Sequence, residues 1–494
     1  MCSLILMPLL LDGAAAGQEK TATTQPVLRH SEIVFMYAAD NQAYREYRAT
    51  FVGWGGANTA AEVKRHRDLG IRCTGSMWCL TAGAKALHDD PNLLAATAAD
   101  IEGKPIEVPW LFDHTYQGTK SYFGCTNHPA FREHLRQKVR EAMAGGADGL
   151  HIDDHLGVAQ AALNFGGGLC DCCIAAFREY LKKNVPPEEL QQAGAGDIDK
   201  FDYRDVVRKY AKTRQEYLKA RDKIPLMKHF RQFHLAAAAK NVQELGKLAS
   251  EVARHPVLLS ANACVENEQH RYVVPYLTHV ICEVWHNAPS GTAKLSGAIS
   301  AYEFATRAGR PLAATASGGD WAYVKATGCE DLARFWVALA YAHGQRFMAP
   351  HPKRQWCFTN ELGTHWYEAP IASYAPVYQF ISANADCFDG FEAAKADGVE
   401  APKDVICLVR QSDAKTAVTV LHVLNMDYDQ TSKGFRAKEN VQIRLPSSLF
   451  VKPPGRARLL AYDSPEQAAP VKVEGRKVIL ELPKLRLWTV VVFK

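Results

Sequence analysis

Short apolar runs alternate with helical stretches over most of the chain. Eight runs rich in β-branched or aromatic residues occupy positions 33–39, 72–80, 121–126, 149–153, 257–263, 279–285, 311–316 and 346–350. Apolar residues recur at helical spacing over 60–69, 129–144, 174–183, 296–308 and 329–343. Such alternation is typical of βα units around a parallel sheet, and eight units are the number that closes a barrel. The pattern predicts an α/β fold, a (β/α)8 TIM barrel over residues 30–400.

Two further segments depart from this alternation. A mostly helical stretch at about 186–254 separates the fourth strand from the fifth, and it predicts an insertion that shapes the mouth of the barrel. After about residue 400 there are strands without intervening helices, at 405–409, 418–424, 441–445, 457–462, 477–482 and 488–493. This pattern predicts a C-terminal all-β sandwich domain over residues 403–494.

The alternation of side chains within two of the barrel strands selects two carboxylates. In the fourth strand, apolar Leu150 and Ile152 favour the helix layer, so Asp153 points to the axis at the C-terminal mouth, where barrel chemistry is found. Asp154 follows on the loop and is the alternate acid. In the sixth strand, the same parity directs Glu283 to the axis.

Each acid also has a structural interpretation. A strand-end Asp often caps a turn or accepts a backbone hydrogen bond, and a buried Glu can belong to an ion pair. Burial would raise the pKa of Glu283, which suits a general acid. Two carboxylates facing each other across a barrel mouth are what glycosidic bond cleavage requires.

Aromatic and polar residues cluster near the predicted strand ends. Sugars offer flat C–H faces and many hydroxyls, which match aromatic, amide and imidazole side chains. The candidate substrate-binding residues are His151, His155, Trp54, Trp78, Asn127, His128, Asn262, Trp285, His286, Trp321 and His351. The expected partner is therefore an oligosaccharide, a polysaccharide or a glycoconjugate.

Composition excludes some other partners. The 494 residues are 47% hydrophobic and 22% charged, with a net charge of +5 and no basic cluster, which argues against nucleic acid. No apolar stretch after the N-terminus is long enough to span a bilayer. Residues 1–25 predict a signal peptide and linker, and hence a secreted or periplasmic protein; a misplaced start or a non-exported tail is the alternative, because no positive charge precedes the apolar run.

The 13 cysteines are an odd number, so not all of them can pair within one chain. Cys170, Cys172 and Cys173, with Cys125 as a fourth, could hold zinc or form a structural disulfide. The spacing Cys-x-Cys-Cys is unlike a zinc knuckle, so the sequence prediction includes no metal and no cofactor.

One segment resembles the fourth-strand region of glycoside-hydrolase-like barrels related to the α-amylase, α-galactosidase and family 42 β-galactosidase groups. The resemblance rests on Gly146-Ala147-Asp148-Gly149-Leu150-His151-Ile152-Asp153-Asp154, on Cys170-Asp171-Cys172-Cys173 and on Phe177-Arg178-Glu179-Tyr180-Leu181. It covers about residues 120–185 closely and the remainder only in architecture.

The resemblance implies an Asp nucleophile at Asp153 and an acid on a later strand, which corresponds to Glu283. The family 42 pattern would instead place Glu on the fourth and seventh strands, and here the seventh strand has no acid before Asp320. The prediction is a glycoside hydrolase with catalytic residues Asp153, Glu283 and Asp154. The alternatives are a non-catalytic carbohydrate-binding barrel and a metal-dependent hydrolase or deacetylase that uses His151, Asp153 and His155.

Overall fold

The computed structural model of the protein describes residues 27–412 and 418–493. The predicted signal peptide and linker at 1–25 lie outside the described residues. Within the described ranges, no helix combines the length and apolar character needed to cross a membrane.

The first part of the chain forms two parallel sheets. One sheet contains, in spatial order, β1 (Val34–Phe35), β2 (Phe51–Val52), β3 (Arg72–Trp78), β4 (Gly149–Asp153) and β5 (Leu258–Ala261). The other contains β6 (Val280–Val284), β7 (Leu312–Ala316) and β8 (Arg346–Phe347). Single parallel bridges, Asn262 to Ile281 and Phe35 to Ala349, link the two sheets at both of their edges.

The predicted third strand was placed wrongly. Residues 121–126 do not join the parallel sheets; Tyr122 and Gly124 form isolated antiparallel bridges within the long connection after β3. Their strand-like pattern has another cause, because Phe123 and Cys125 are buried in a separate apolar cluster under this connection. The sequence interpretation also missed β2, whose two residues are too short for a periodic pattern.

The parity argument is confirmed by the packing. Leu150 and Ile152 belong to the main core between strands and helices, whereas Leu258 and Ile281 lie in a separate cluster with residues of β1, β2, β7 and the end of β8. This second cluster lies on the face of the parallel strands opposite the main core. Side chains that alternate with the main-core residues on β4 and β6 therefore point inward, as required for Asp153 and Glu283.

Helices alternate with the parallel strands along the chain. They are α1 (Asn41–Tyr47), α2 (Ala60–Asp68), α3 (Ala84–Asp89), α4 (Pro91–Ala95), α5 (Pro129–Met143), α6 (Val158–Asn164), α7 (Asp171–Asn184), α8 (Pro187–Gln192), α9 (Tyr203–Arg208), α10 (Arg214–Ala220), α11 (Met227–Ala253), α12 (Glu268–Arg271), α13 (Ser296–Arg307), α14 (Gly318–Thr327), α15 (Glu330–Ala342) and α16 (Ile371–Ala383). Helix α2 begins with a capping box between Thr59 and Glu62, and α5 begins with Pro129 in its first turn.

Helix α11 connects two cores. Its N-terminal half contributes Phe230 and Phe233 to a cluster with residues of α7 to α9, and its C-terminal half contributes Val242 and Leu245 to the main core. The helical stretch predicted at about 186–254 thus contains four helices, and the last of them packs against α5 and α6.

An antiparallel hairpin that the sequence pattern did not predict follows β8. Its strands are β9 (Gln355–Thr359) and β10 (Gly363–Tyr367), with Trp356 paired directly to Trp366. Gly363 lies against Phe112 and Asp113 of the connection after β3. The hairpin therefore reaches across toward that connection.

The C-terminal strands form an antiparallel arrangement. They are β11 (Glu392–Ala393), β12 (Val405–Gln411), β13 (Thr419–Asn425), β14 (Tyr428–Asp429), β15 (Gly434–Phe435), β16 (Lys438–Pro446), β17 (Arg456–Ala461), β18 (Ser464–Glu474), β19 (Lys477–Leu485) and β20 (Trp488–Phe493). Except for the small pair β14 and β15, they join one sheet, in the order β11-β12-β13-β20-β17-β18-β19-β16. Its long strand β18 pairs with β17 through its first half and with β19 through its second. Strand β13 packs against β19, so one hydrogen-bonded sheet encloses its own core.

Candidate active site

Asp153, the last residue of β4, is held by three hydrogen-bond donors. Its Oδ1 accepts from Asn262 Nδ2 at 3.1 Å and from the backbone N–H of Asp154 at 3.0 Å. Its Oδ2 accepts from Trp54 Nε1 at 3.3 Å. Burial raises the pKa of Asp153, and these donors oppose that effect because they stabilise the carboxylate. The donors orient the carboxylate and offset part of the increase in its pKa.

Glu283 on β6 has a different environment. Burial, then the charge of Asp153, then that of Glu266 raise the pKa of Glu283 to about 8, with only a hydrogen bond to Asn262 acting in the opposite direction. Asn262 therefore contacts both acids, from the residue that follows β5. Glu283 keeps its proton near neutral pH, so the two carboxyl groups differ in the way that an acid and a base must differ.

Asp154 adjoins this pair from a strained backbone position. It has a positive φ of 50°, which is uncommon for a residue other than glycine. Burial and the charges of Asp153 and Glu283 raise its pKa well above the usual range, and Trp110 hydrogen-bonds its side chain. The side chain borders a small cavity of about 30 Å³ that is also lined by His155, Gln160 and His270.

Two of the predicted imidazoles lie beneath the carboxylates. His151 is fully buried, with its Nδ1 2.9 Å from Ser260 Oγ and its ring 5.1 Å from that of Trp54. His155 Nδ1 donates to the backbone oxygen of Asn262 at 2.8 Å, and burial lowers the pKa of His155 to about 3. Both residues support the side chains that hold Asp153, and neither is exposed to a substrate.

Two predicted tryptophans line the rim of the site. Trp78, at the end of β3, is paired in register with Asp153, and 43% of its surface is exposed. Trp285 directly follows β6 and is 67% exposed. Exposed indole rings at this edge are suited to stacking against sugar rings.

Five predicted substrate contacts lie elsewhere. Asn127 donates to Cys173 Sγ at 3.3 Å, and His128 caps α5 by accepting from the backbone N–H of Ala130. The other three are buried and hydrogen-bonded within the protein: His286 to Tyr302, Trp321 to Thr315 and His351 to the backbone of Ala38, Lys353 and Arg354. A position near a strand end does not determine whether a loop side chain points to the site or into the protein. The sequence could therefore not distinguish these five residues from those that line the rim.

Tyr37, just after β1, was missed by the sequence interpretation. Burial, with the charges of Asp153 and Glu283, raises the pKa of its phenol, which places the hydroxyl near both acids. Its ring lies 6.4 Å from that of Trp366 on β10, and Arg354 stacks 4.9 Å from the centre of the same Trp366 ring. The hairpin adds the aromatic side chain of Trp366 to this edge of the site, and the residue before it adds the cationic side chain of Arg354.

The predicted metal-dependent alternative is not supported by ligand geometry. Among the described residues, the only group of three or more potential metal ligands within 4.8 Å of one another is Cys125, Cys170 and Cys173. His151, Asp153 and His155 do not form such a group.

Neither the comparison with protein-family models nor that with curated protein sequences finds a match. The structure resembles the cycloisomaltooligosaccharide glucanotransferase of Paenibacillus sp., with a TM-score of 0.57, 10% identity and coverage of 94% of this chain and 85% of that chain. It also resembles α-L-fucosidase isoenzyme 2 of Paenibacillus thiaminolyticus, with a TM-score of 0.54, 9% identity and coverage of 94% and 100%. A third resemblance is to the α-amylase of Geobacillus thermoleovorans, with a TM-score of 0.51, 9% identity and coverage of 94% of this chain and 98% of that chain.

The chain therefore shares its overall fold with these three proteins. At these identities the likeness concerns the fold alone. The ends of neighbouring parallel strands converge at this site, since β4, β5 and β6 supply or precede Asp153, Asn262 and Glu283.

Replacing Trp54 by Phe tests how the site holds Asp153. The variant keeps an aromatic ring but removes the donor to Oδ2, so the pKa of Asp153 rises further. We expect kcat/KM to fall about 10-fold and its acidic limb to move to higher pH. Both effects are measured in the pH profile of glycoside hydrolysis, the activity proposed for this site. The control is Trp488→Phe in β20, whose buried indole has no hydrogen-bond partner; an acidic limb unchanged in Trp54→Phe would contradict the assigned role.

Proposed function

We propose that the protein is a glycoside hydrolase that cleaves an O-glycosidic bond with Asp153 and Glu283. The observation that carries this proposal is the contrast between the two acids, since Asp153 accepts three hydrogen bonds and Glu283 has a pKa of about 8. We further propose that the single bridges between the two parallel sheets close one eight-stranded barrel, with residues 403–494 as a separate C-terminal sandwich domain.

In the proposed reaction, Glu283 donates its proton to the glycosidic oxygen while the bond from that oxygen to the anomeric carbon breaks. Asp153 either attacks the anomeric carbon or removes a proton from an attacking water. In the first case, water later hydrolyses the glycosyl ester. Asn262, which contacts both acids, holds the two carboxyl groups in fixed positions relative to each other during the reaction.

The proposed substrate is a glycan or a glycoconjugate. Two observations support it: Trp78 and Trp285 are exposed at the rim, and the solved proteins that share this fold include a glucanotransferase, a fucosidase and an amylase. Export of the protein, expected from residues 1–25, remains part of this proposal.

A panel of aryl glycosides and oligosaccharides, assayed with wild type, Asp153→Asn and Glu283→Gln, tests the function. We expect wild type to hydrolyse at least one glycoside, and we expect both variants to have lost this hydrolysis. Binding of a glycan without hydrolysis by any of the three proteins would instead favour the non-catalytic carbohydrate-binding alternative.

The exposed tryptophans should affect binding more than chemistry. We expect Trp285→Ala to raise KM about 10-fold for an oligosaccharide and to leave kcat nearly unchanged, because stacking on a sugar ring is worth about 1 kcal/mol or more. Steady-state kinetics on a length series of the hydrolysed glycan measures this. The matched control is Tyr276→Ala, another exposed aromatic residue, which lies before β6 at the opposite end of that strand; an equal rise of KM in both variants would contradict a specific contact.

A further inference from the structure

A small cavity lies behind Asp154, on the side away from the rim. Its volume of about 30 Å³ is enough for one small polar group or one water molecule. The side chains that line it come from the ends of β3 and β4, from α6 and from α12: Leu80, Asp154, His155, Leu156, Gln160 and His270. Asp154 is only partly buried, so it borders both this cavity and the carboxylate site. The cavity therefore adjoins the position of a bound sugar.

The imidazole of His155 offers a lone pair at this cavity. Its Nδ1 carries a proton, because it donates to the backbone oxygen of Asn262 at 2.8 Å. Burial lowers the pKa of His155 to about 3, so the ring is neutral and Nε2 is an acceptor. His155 is 1% exposed, and its Nε2 is buried without a hydrogen-bond partner. Buried polar atoms are nearly always satisfied, so this nitrogen requires a donor from the cavity.

Gln160 on α6 supplies a second open acceptor. Its Oε1 is buried and has no hydrogen-bond partner. The Nδ1 of His270 is also without a partner, and burial lowers the pKa of that ring to about 4, so His270 brings no positive charge. Together with the carboxyl group of Asp154, the lining presents three different kinds of acceptor to one small space.

The acids beside this cavity have no cationic partner. Burial, then the charges of Asp153 and Glu283, raise the pKa of Asp154 well above its usual range. Within the ranges that the structure describes, no lysine or arginine charge acts on the pKa of Asp154 or of Glu283. A positively charged occupant would remove this repulsion and favour the ionised form of Asp154.

We propose that the cavity binds the protonated amino group of an amino sugar, so that the substrate is a glycan with unacetylated amino sugars. An ammonium group has three N–H donors and no acceptor, which matches the carboxylate of Asp154, Oε1 of Gln160 and Nε2 of His155. A sugar hydroxyl has a single donor and no charge, and an N-acetyl group is too large for about 30 Å³. The identity of the occupant as part of a substrate rests on the proposed function, whereas its charge rests on the cavity.

Equilibrium binding to the full-length protein tests the proposal without hydrolysis. The probes are glucosamine, galactosamine and mannosamine, the three parent hexoses and the three N-acetyl forms, titrated by calorimetry near neutral pH. We expect at least one amino sugar to bind about 10-fold or more tightly than its parent hexose and its N-acetyl form, because both of these lack the charged hydrogen bonds. Equal affinity for the three forms of every sugar, or no binding of any amino sugar, would overturn the proposal and leave the cavity to water.

Two variants locate the binding of the amino group. Asp154→Asn keeps the shape of the side chain and tolerates the positive φ of this position, but it removes the charge, so the preference for the amino sugar should disappear. Gln160→Leu removes an acceptor at similar volume and should weaken amino-sugar binding about 10-fold. The matched controls are Asp397→Asn and Gln191→Leu, both at exposed positions. A preference that persists unchanged in folded Asp154→Asn and Gln160→Leu would contradict this location.

The outcomes differ from those that decide the glycosidase function. Selective binding of an amino sugar by a protein that hydrolyses no glycoside would refute the proposed hydrolysis and support the amino-group site. Hydrolysis of neutral glycosides, without preference for amino sugars in binding or in kcat/KM, would support the glycosidase function and overturn the amino-group site.

Discussion

Asp153→Asn should reduce kcat/KM for the hydrolysed glycoside by about 10³-fold or more. The amide has nearly the shape of the carboxylate, but it can neither attack the anomeric carbon nor accept a proton from water. In addition, the amide NH2 cannot accept from the donors on Trp54 and Asn262, so at least one of these hydrogen bonds is lost. Initial rates on the responsive glycoside measure the loss.

The control for this variant is Asp397→Asn, which changes an exposed acid far along the chain from β4. Circular dichroism and thermal unfolding establish that Asp153→Asn remains folded. A folded Asp153→Asn protein with activity within a few-fold of wild type would exclude Asp153 as nucleophile or base. Asp154→Asn would then become the variant to test, because that carboxyl also lies beside Glu283.

Glu283→Gln should lower kcat/KM by about 10²–10³-fold for a glycoside with a poor leaving group. With an activated aryl leaving group, which departs without a proton, the loss should be much smaller. The dependence on the leaving group separates loss of an acid from general damage to the site.

The pH profile gives an independent measurement of the same group. Glu283 must be protonated to act, and its pKa is about 8, so wild-type kcat/KM should fall as the pH rises through that value. Glu283→Gln cannot lose a proton, and its profile should lack this basic limb. At low pH the rate should fall in both proteins as Asp153 becomes protonated.

Glu266→Gln offers a graded companion experiment. The negative charge of Glu266 helps to raise the pKa of Glu283. Removing that charge should therefore move the basic limb of the kcat/KM profile to lower pH while activity is kept. Glu474→Gln, at an exposed position in β18, is the matched control. A basic limb that persists unchanged in Glu283→Gln would assign that limb to another group and contradict the role of Glu283 as the acid.

Local periodicity was sufficient for part of the fold. Side chains alternate strictly in a strand, so one apolar pair, Leu150 and Ile152, was enough to direct Asp153 inward. The same period placed Glu283, and the structure brings both residues to one site. A strand of only two residues, such as Phe51–Val52, is too short to show this alternation. Conversely, Phe123 and Cys125 show the alternation of a strand although they are buried in a separate cluster outside the parallel sheets.

The sequence by itself determined which strands have an acid near their C-terminal end, because the strand pattern around each acid is formed by residues adjacent in the chain. Only the tertiary structure decided which polar residues surround those acids. Tyr37 and Arg354 are both more than a hundred residues from Asp153 in the sequence. Asn262 reaches Asp153 because β5 pairs with β4, and it reaches Glu283 because its own backbone bridges to Ile281 of β6. The convergence of Cys125 with Cys170 and Cys173 likewise depends on a loop and a helix whose approach is set by packing, for which no local pattern exists.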